Sequence, residues 1–298
     1  MKKTFFLSLL LTLVVAAQAQ LKVAPKMEKG TVKNYSAVTT VSIPGQGDAK
    51  VTTEASYSVT EVTADGFVME CKYGDITTQA DASNIAGKLV GASAEIMKGV
   101  SARVATDKDG KPVKVLNFDE LKVKLDKGAD VLVEQLVKEI PQITEIMTKD
   151  VIKQQIMEKT TEKVMLQSLQ EATNPLALNG KTVMTGAQEE FVNKDGIKMK
   201  RMYFVNGQNV VTNSTSNLTK EDLKALIIKQ VEQMAPAQAE MVKQNIDMVI
   251  DSGMFKMDAT EKATYTLDAD GWVKSISAES TMDTMGQKIV TKSEVIVK

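Results

Sequence analysis

Ser101–Leu121, SARVATDKDGKPVKVLNFDEL, holds the pattern that the rest of the chain repeats. It reads as strand, turn, strand and helix start. The turn is Asp107-Lys108-Asp109-Gly110. An aspartate in first place bonds its own backbone two residues on, and a glycine in fourth place accepts the left-handed conformation that follows a type I turn. This is hairpin chemistry with a glycine bulge. The same signature stands at Thr63-Ala64-Asp65-Gly66, Asn193-Lys194-Asp195-Gly196 and Asp268-Ala269-Asp270-Gly271, each between β-rich, partly alternating residues. Hairpins are therefore the repeated unit.

The second half of the stretch opens a helix. Asn117 is a good N-cap with Glu120 three residues later, and Leu116 and Leu121 occupy the two positions of a hydrophobic staple. Thr219 and Asp222 repeat the arrangement ahead of a second helical region. Two passages from hairpin to capped helix predict an α+β fold, a large curved antiparallel sheet of hairpins packed on helices and half-barrel-like in form. The passages span about 31–172 and 179–250, closing strands fill 255–298, and 31–298 forms a single domain.

The first residues identify a destination. Met1-Lys2-Lys3, an apolar run from Thr4 to Ala16 and Ala17-Gln18-Ala19 make a secretory signal peptide over 1–19, cut between Ala19 and Gln20. The expected location is the periplasm or cell exterior. The apolar run is short for a membrane span and no second one follows, so no transmembrane segment is expected in the mature chain. Residues 20–30, with Pro25 and several lysines, read as a flexible entry.

Charge and composition narrow the chemistry. The 37 basic residues, 35 without Lys2 and Lys3, face 38 acidic ones, which argues against nucleic acid as a partner. Cys71 is the only cysteine, on the strand face of Phe67, Met69 and Tyr73, and reads as a small buried hydrophobe. With no histidine, Ser/His/Asp, Cys/His and His-ligated metal sites are excluded. No phosphate-binding glycine loop is present. The Asp-x-Asp-Gly turns lack the glutamate that a calcium-binding EF-hand places six residues after its glycine, since Leu116 and Ser277 stand there. No cofactor and no metal is expected. Glu189 and Glu190 are a visible carboxylate pair, but neighbours on a strand point to opposite faces. The chain is read as non-enzymatic, with a carboxylate-only hydrolase as an alternative.

Along the chain, strands are expected at Lys33–Ile43, Val51–Val62 and Phe67–Thr78, with Asp81–Gly99 left between helix and flap. Asn117 to about Ala172 is helical, broken or bent at Gly128 and Pro141. Lys181–Asn193, Ile197–Val205 and Asn209–Ser214 follow as strands, Asn206-Gly207 being a strong two-residue hairpin signal. Thr219–Ile250 is a helix bent near Pro236. The strand-like sequence Ile289–Val297 predicts a last strand that completes the sheet.

Methionine is the unusual residue, with 17 copies. Ile227, Met234, Met241 and Met248 recur every seven residues and share a face if the helix survives Pro236. The plain reading is gap-filling beneath a curved sheet; the sharper one is a deformable apolar cavity lined by these four. Asp283-Thr284-Met285 is similar to a bacterial O-glycosylation acceptor, with Thr284 as the modified residue.

Exported, histidine-free, hairpin-rich and helix-covered, the chain resembles secreted bacterial proteins whose architecture is similar to the half-barrel of periplasmic lipoprotein carriers. The resemblance rests on element order over most of residues 30–298, and no carrier binding residue transfers. It implies an apolar or lipid-like ligand. The expected partner is such a ligand or another envelope protein, and the alternative is a structural envelope protein with a filled core.

Overall fold

Alternation along the strands sets the architecture of the computed structural model. It describes residues 20–80, 91–93, 96–158, 160–193, 196–234, 239–251, 257–284 and 287–298. In β2 (Val32–Ile43), Tyr35, Ala37 and Thr39 face inward while Ser36 faces out and donates to Glu54. The same period of two recurs in β3 (Gly47–Val62), β4 (Gly66–Ala80) and β5 (Ser101–Asp107), while the short edge strand β6 (Pro112–Val115) buries only its two ends. It continues in β8 (Gln188–Val192), β9 (Lys198–Asn206), β10 (Asn209–Ser216), β11 (Met257–Leu267), β12 (Val273–Thr284) and β13 (Gln287–Val297). One face is apolar and buried; the other carries solvated pairs such as Arg103–Glu61 and Ser277–Glu294.

These strands form one antiparallel sheet of 11, ordered β6-β5-β4-β3-β2-β13-β12-β11-β10-β9-β8. It is open at β6 and β8 and half-barrel-like, as the hairpin pattern predicts. The expected closing strand sits at its centre: β13 pairs with β2 from Val290↔Ser42 to Val297↔Tyr35. A separate pair joins β1 (Gln20–Lys22) to β7 (Thr182–Met184).

Three of the four glycine turns share one geometry. Asp107 Oδ1 accepts from the backbone N–H of Asp109 and Lys111, and Asp268 Oδ1 from Asp270 and Trp272. Asn193 Oδ1 accepts from Ile197. Gly110, Gly196 and Gly271 all have φ near +80°. Gly66 differs: a Cβ there would lie 2.0 Å from the carbonyl oxygen of Thr106, so close strand approach demands the glycine.

Helices follow the strands in two groups. The first contains α1 (Phe118–Glu139), α2 (Ile143–Ile146), α3 (Lys149–Glu158) and α4 (Glu162–Ser168). The second is α5 (Lys220–Met234) and α6 (Ala239–Asp251). Thr219 and Asp222 form the expected reciprocal cap, Thr219 Oγ1 accepting from Asp222 N and Asp222 Oδ2 from Thr219 N. Asn117 does not cap with its side chain. Its amide instead bridges β5, accepting from Arg103 N and donating to Ser101 O, and Leu116 stays 42% exposed. Gly128 does not break α1 either: a Cβ there would fall 2.2 Å from Ile96 Cγ2, so the glycine admits a neighbouring side chain. Residues 91–93 and 96–97 are helical, and 81–90 lie outside the described residues.

The inner face is covered by residues 169–178, of which the helical reading reaches only to about Ala172, and by residues 20–30. Leu169, Ala172, Leu176, Ala177 and Leu178 are buried against it, beside Tyr35, Tyr57, Val59, Met69, Tyr265 and Trp272. Residues 20–30 are not a free entry. Val23 is fully buried and exchanges backbone hydrogen bonds with Gly180 and Lys181; the Trp272 indole donates to Lys26 O. Alternating Leu21, Val23, Pro25 and Met27 explain why: this is a strand-like edge with one apolar face, and its lysines point outward.

Candidate functional site

The inner face changes character along the strands. Beyond the aromatic end, the inward positions become Thr39 on β2, Thr291 and Ser293 on β13, Ser280 on β12, Glu261 on β11 and Arg201 on β9. Thr39 and Ser293, cross-strand partners, share a hydroxyl hydrogen bond of 2.9 Å. Between this surface and residues 167–181 lies a cavity of about 770 Å³. Its apolar lining includes Phe191, Met199, Met282 and Ile289. A second cavity, of about 240 Å³, is lined by Tyr35, Tyr57 and Tyr73, and Glu171 and Thr173 belong to the walls of both. Tyr35 and Tyr57 meet edge-to-face at 5.5 Å.

A charged network forms one wall of the larger cavity. The Arg201 side chain is only 3% exposed. Its Nε donates to Ser214 Oγ at 3.1 Å, Nη2 to Glu261 at 3.1 Å and Nη1 to Glu189 at 3.4 Å, and the guanidinium lies 4.3 Å from the Phe191 ring centroid. Lys181 Nζ donates to Glu189 at 2.7 Å and to the Tyr203 hydroxyl at 3.0 Å, and that hydroxyl donates to Glu189. Burial pushes the Lys181 pKa down, with Glu189 countering only in part. Burial alone would push the Glu189 carboxyl up, but hydrogen bonds from Lys181 and Tyr203 outweigh it and the pKa is lowered.

Glu189 and Glu261 are two inward carboxylates at one cavity, the raw material of a sugar hydrolase. Both accept from the same guanidinium, and Glu189, with its lowered pKa, holds no proton to give at neutral pH. The network can position polar groups. Glu190 points to the opposite face, as alternation requires, and accepts from Asn217. Cys71 is 5% exposed and burial pushes its thiol to about 12, the environment of an inert core cysteine.

Of the seven-residue stripe, Ile227, Met241 and Met248 do not line this cavity. Ile227 is buried on α5, whereas Met241 and Met248 on α6 are 67% and 73% exposed. The helices over 220–234 and 239–251 do not continue one another. Two helices lie antiparallel, held by Lys220–Asp251, Lys224–Asp247 and Lys243–Glu232 ion pairs, so residues seven apart across the break no longer share a face. Ala239 and Ile246 take the buried side of α6. The side chains of Met234 and Thr284 lie outside the described residues, as do residues 1–19 with Ala19; Gln20, the residue after the expected cut, is already paired with Met184.

The strand pattern held a signal for Arg201 and Glu261, which were missed, and for which of Glu189 and Glu190 faces inward. Arg201 sits in phase with Met199 and Tyr203, Glu261 with Ala259, Ala263 and Tyr265, and Glu189 with Phe191. A charge on the apolar phase of a strand marks a buried polar site. Among the described residues no group of three or more metal-ligating side chains is assembled, and no helix is long and apolar enough to cross a membrane.

No family model and no curated protein matches the chain. A lipovitellin structure solved for its lipid–protein interactions is similar with a TM-score of 0.40 and 9% identity over 92% of this chain, which spans only 25% of that one. A porin-like protein from Bacteroides uniformis gives 0.21 at 9% identity, covering 92% of this chain and all of its own. An outer membrane channel from Pseudomonas putida F1 gives 0.17 at 5% identity, with 92% and 98% covered. Likenesses this loose carry nothing about function.

Proposed function

We propose that the protein is an exported, non-enzymatic envelope protein that holds an apolar, lipid-like ligand against the inner face of its open sheet. The leader at residues 1–19 supports export. The single observation that carries the ligand is the cavity of about 770 Å³, of a size that small-molecule sites have, lined by apolar side chains beside polar ones. Two of its apolar liners, Met199 and Met282, are flexible thioethers that adapt to irregular ligands. Each methylene moved from water onto such a wall contributes about 0.8 kcal/mol. A neutral polarity-sensitive dye, Nile red, titrated into the mature chain tests the reading. Met282→Trp, which fills the cavity, should weaken dye binding about tenfold, a loss of roughly 1.4 kcal/mol. Met241→Trp, on the exposed face of α6, should leave it unchanged. Equal effects of the two substitutions, or no dye binding, would refute the assignment of the ligand to this cavity.

A structural role in the envelope is the second reading. The 67% and 73% exposure of Met241 and Met248 on one helix face favours it.

A further inference from the structure

We infer that the ligand is a single-chain amphiphile with an uncharged, hydroxyl-bearing head group, of the monoacylglycerol class; this rests on the cavity being a ligand site. The cavity wall carries charge but no excess of it: Lys111, Lys181 and Arg201 are matched by Glu171, Glu189 and Glu261. The two inner cations are already committed. All three guanidinium nitrogens of Arg201 donate within the wall, and Lys181 donates to Glu189 and Tyr203. Lys111 stands exposed at the rim, where water and salt screen it.

An anionic head group entering here would have to displace a carboxylate from Arg201 or lie against Glu189 and Glu261 without a cation of its own. Either arrangement leaves a buried charge unpaired. A neutral head group meets no such cost. The hydroxyls of Thr39, Thr291, Ser293 and Ser280 both donate and accept, which is the complement of a glycerol or similar polyol. The chain of such a ligand would run along the apolar wall of Phe191, Met199, Met282 and Ile289. Charge balance thus selects against free fatty acids, and the hydroxyl rows select for neutral esters or amides of the same chain.

Calorimetric titration of the mature chain with monolauroylglycerol and with laurate distinguishes the two, at about pH 8, where a carboxylic acid is ionised, and below micelle-forming concentrations. The glyceride should bind about tenfold more tightly than laurate. Glu261→Gln keeps an acceptor for Arg201 and removes one negative charge, so laurate should gain about tenfold and draw level with or overtake the glyceride. Circular dichroism confirms that the variant is folded. The wild-type comparison stands without it. Wild-type protein binding laurate as tightly as the glyceride, or an unchanged ratio in folded Glu261→Gln, would overturn the inference while leaving the cavity a lipid site. Binding of neither probe would overturn both.

Discussion

Arg201 is one of two arginines among 37 basic residues, and it is buried beneath the cavity while Arg103 sits on the outer face, its side chain 51% exposed. A planar guanidinium reaches Ser214, Glu189 and Glu261 at once from one position; a lysine ammonium has no such fork. Replacing it by a neutral side chain would take the guanidinium from Glu261 at the sheet's inner face, whereas Glu189 keeps Lys181. Arg201→Met should therefore cost about 3–5 kcal/mol in urea denaturation, the range for breaking a buried ion pair from one side. Arg103→Met should stay within about 0.5 kcal/mol. Glu189 adds a pH dependence. Its pKa is lowered on folding from an ordinary 4.5, so its contribution is complete above that value and is lost as pH falls through the lower folded pKa. The urea midpoint should fall less below pH 4.5 in Glu189→Gln than in the wild type. These residues were visible in the sequence as charges in the apolar phase of β8, β9 and β11. What they would meet was not visible, because the partners lie on other strands.

At the scale of elements, local chemistry was the most legible. The turns at Asp107, Asn193 and Asp268 and the cap at Thr219 use side chains that bond within four residues, and each forms as its local sequence indicates. Asn117 has the same local option and takes another, because the open backbone of β5 competes for its amide. Gly128 shows the same override by tertiary packing. Helix propensity alone favours alanine there by about 1 kcal/mol. The added methyl would meet Ile96 at 2.2 Å, on a β-branched side chain with little room to turn. Gly128→Ala should thus destabilise by about 1–3 kcal/mol in thermal or urea unfolding, the cost of overpacking. A stabilised variant would show that α1 and Ile96 separate readily. The Leu176–Leu178 segment was illegible for a different reason. Leu169 and Ala172 close the region that reads as helical, but the short apolar run between Asn174-Pro175 and Asn179-Gly180 looks like a loop until a sheet face is placed beneath it.

The whole molecule turns on the seam between β2 and β13. Sheet class and half-barrel form followed from the hairpins, but which two strands would meet across the middle is a long-range choice that periodicity does not encode. Deleting residues 287–298 would remove the strand between β2 and β12 and leave both with unpaired backbone. The truncated chain should be recovered as aggregate or unfolded protein by size-exclusion chromatography; a monodisperse folded product would mean that the two half-sheets are independently stable. The seam also sets a clock. Thr39 and Ser293, hydrogen-bonded across it, are 254 positions apart. At synthesis rates of about 5–20 residues per second, β2 exists for some 10–50 seconds before its partner has been made. The edge of β2 that meets the central strand of the finished sheet is thus, throughout synthesis, a bare margin of β-branched residues, and the nascent chain is most open to wrong pairing at the place where the mature protein is best protected.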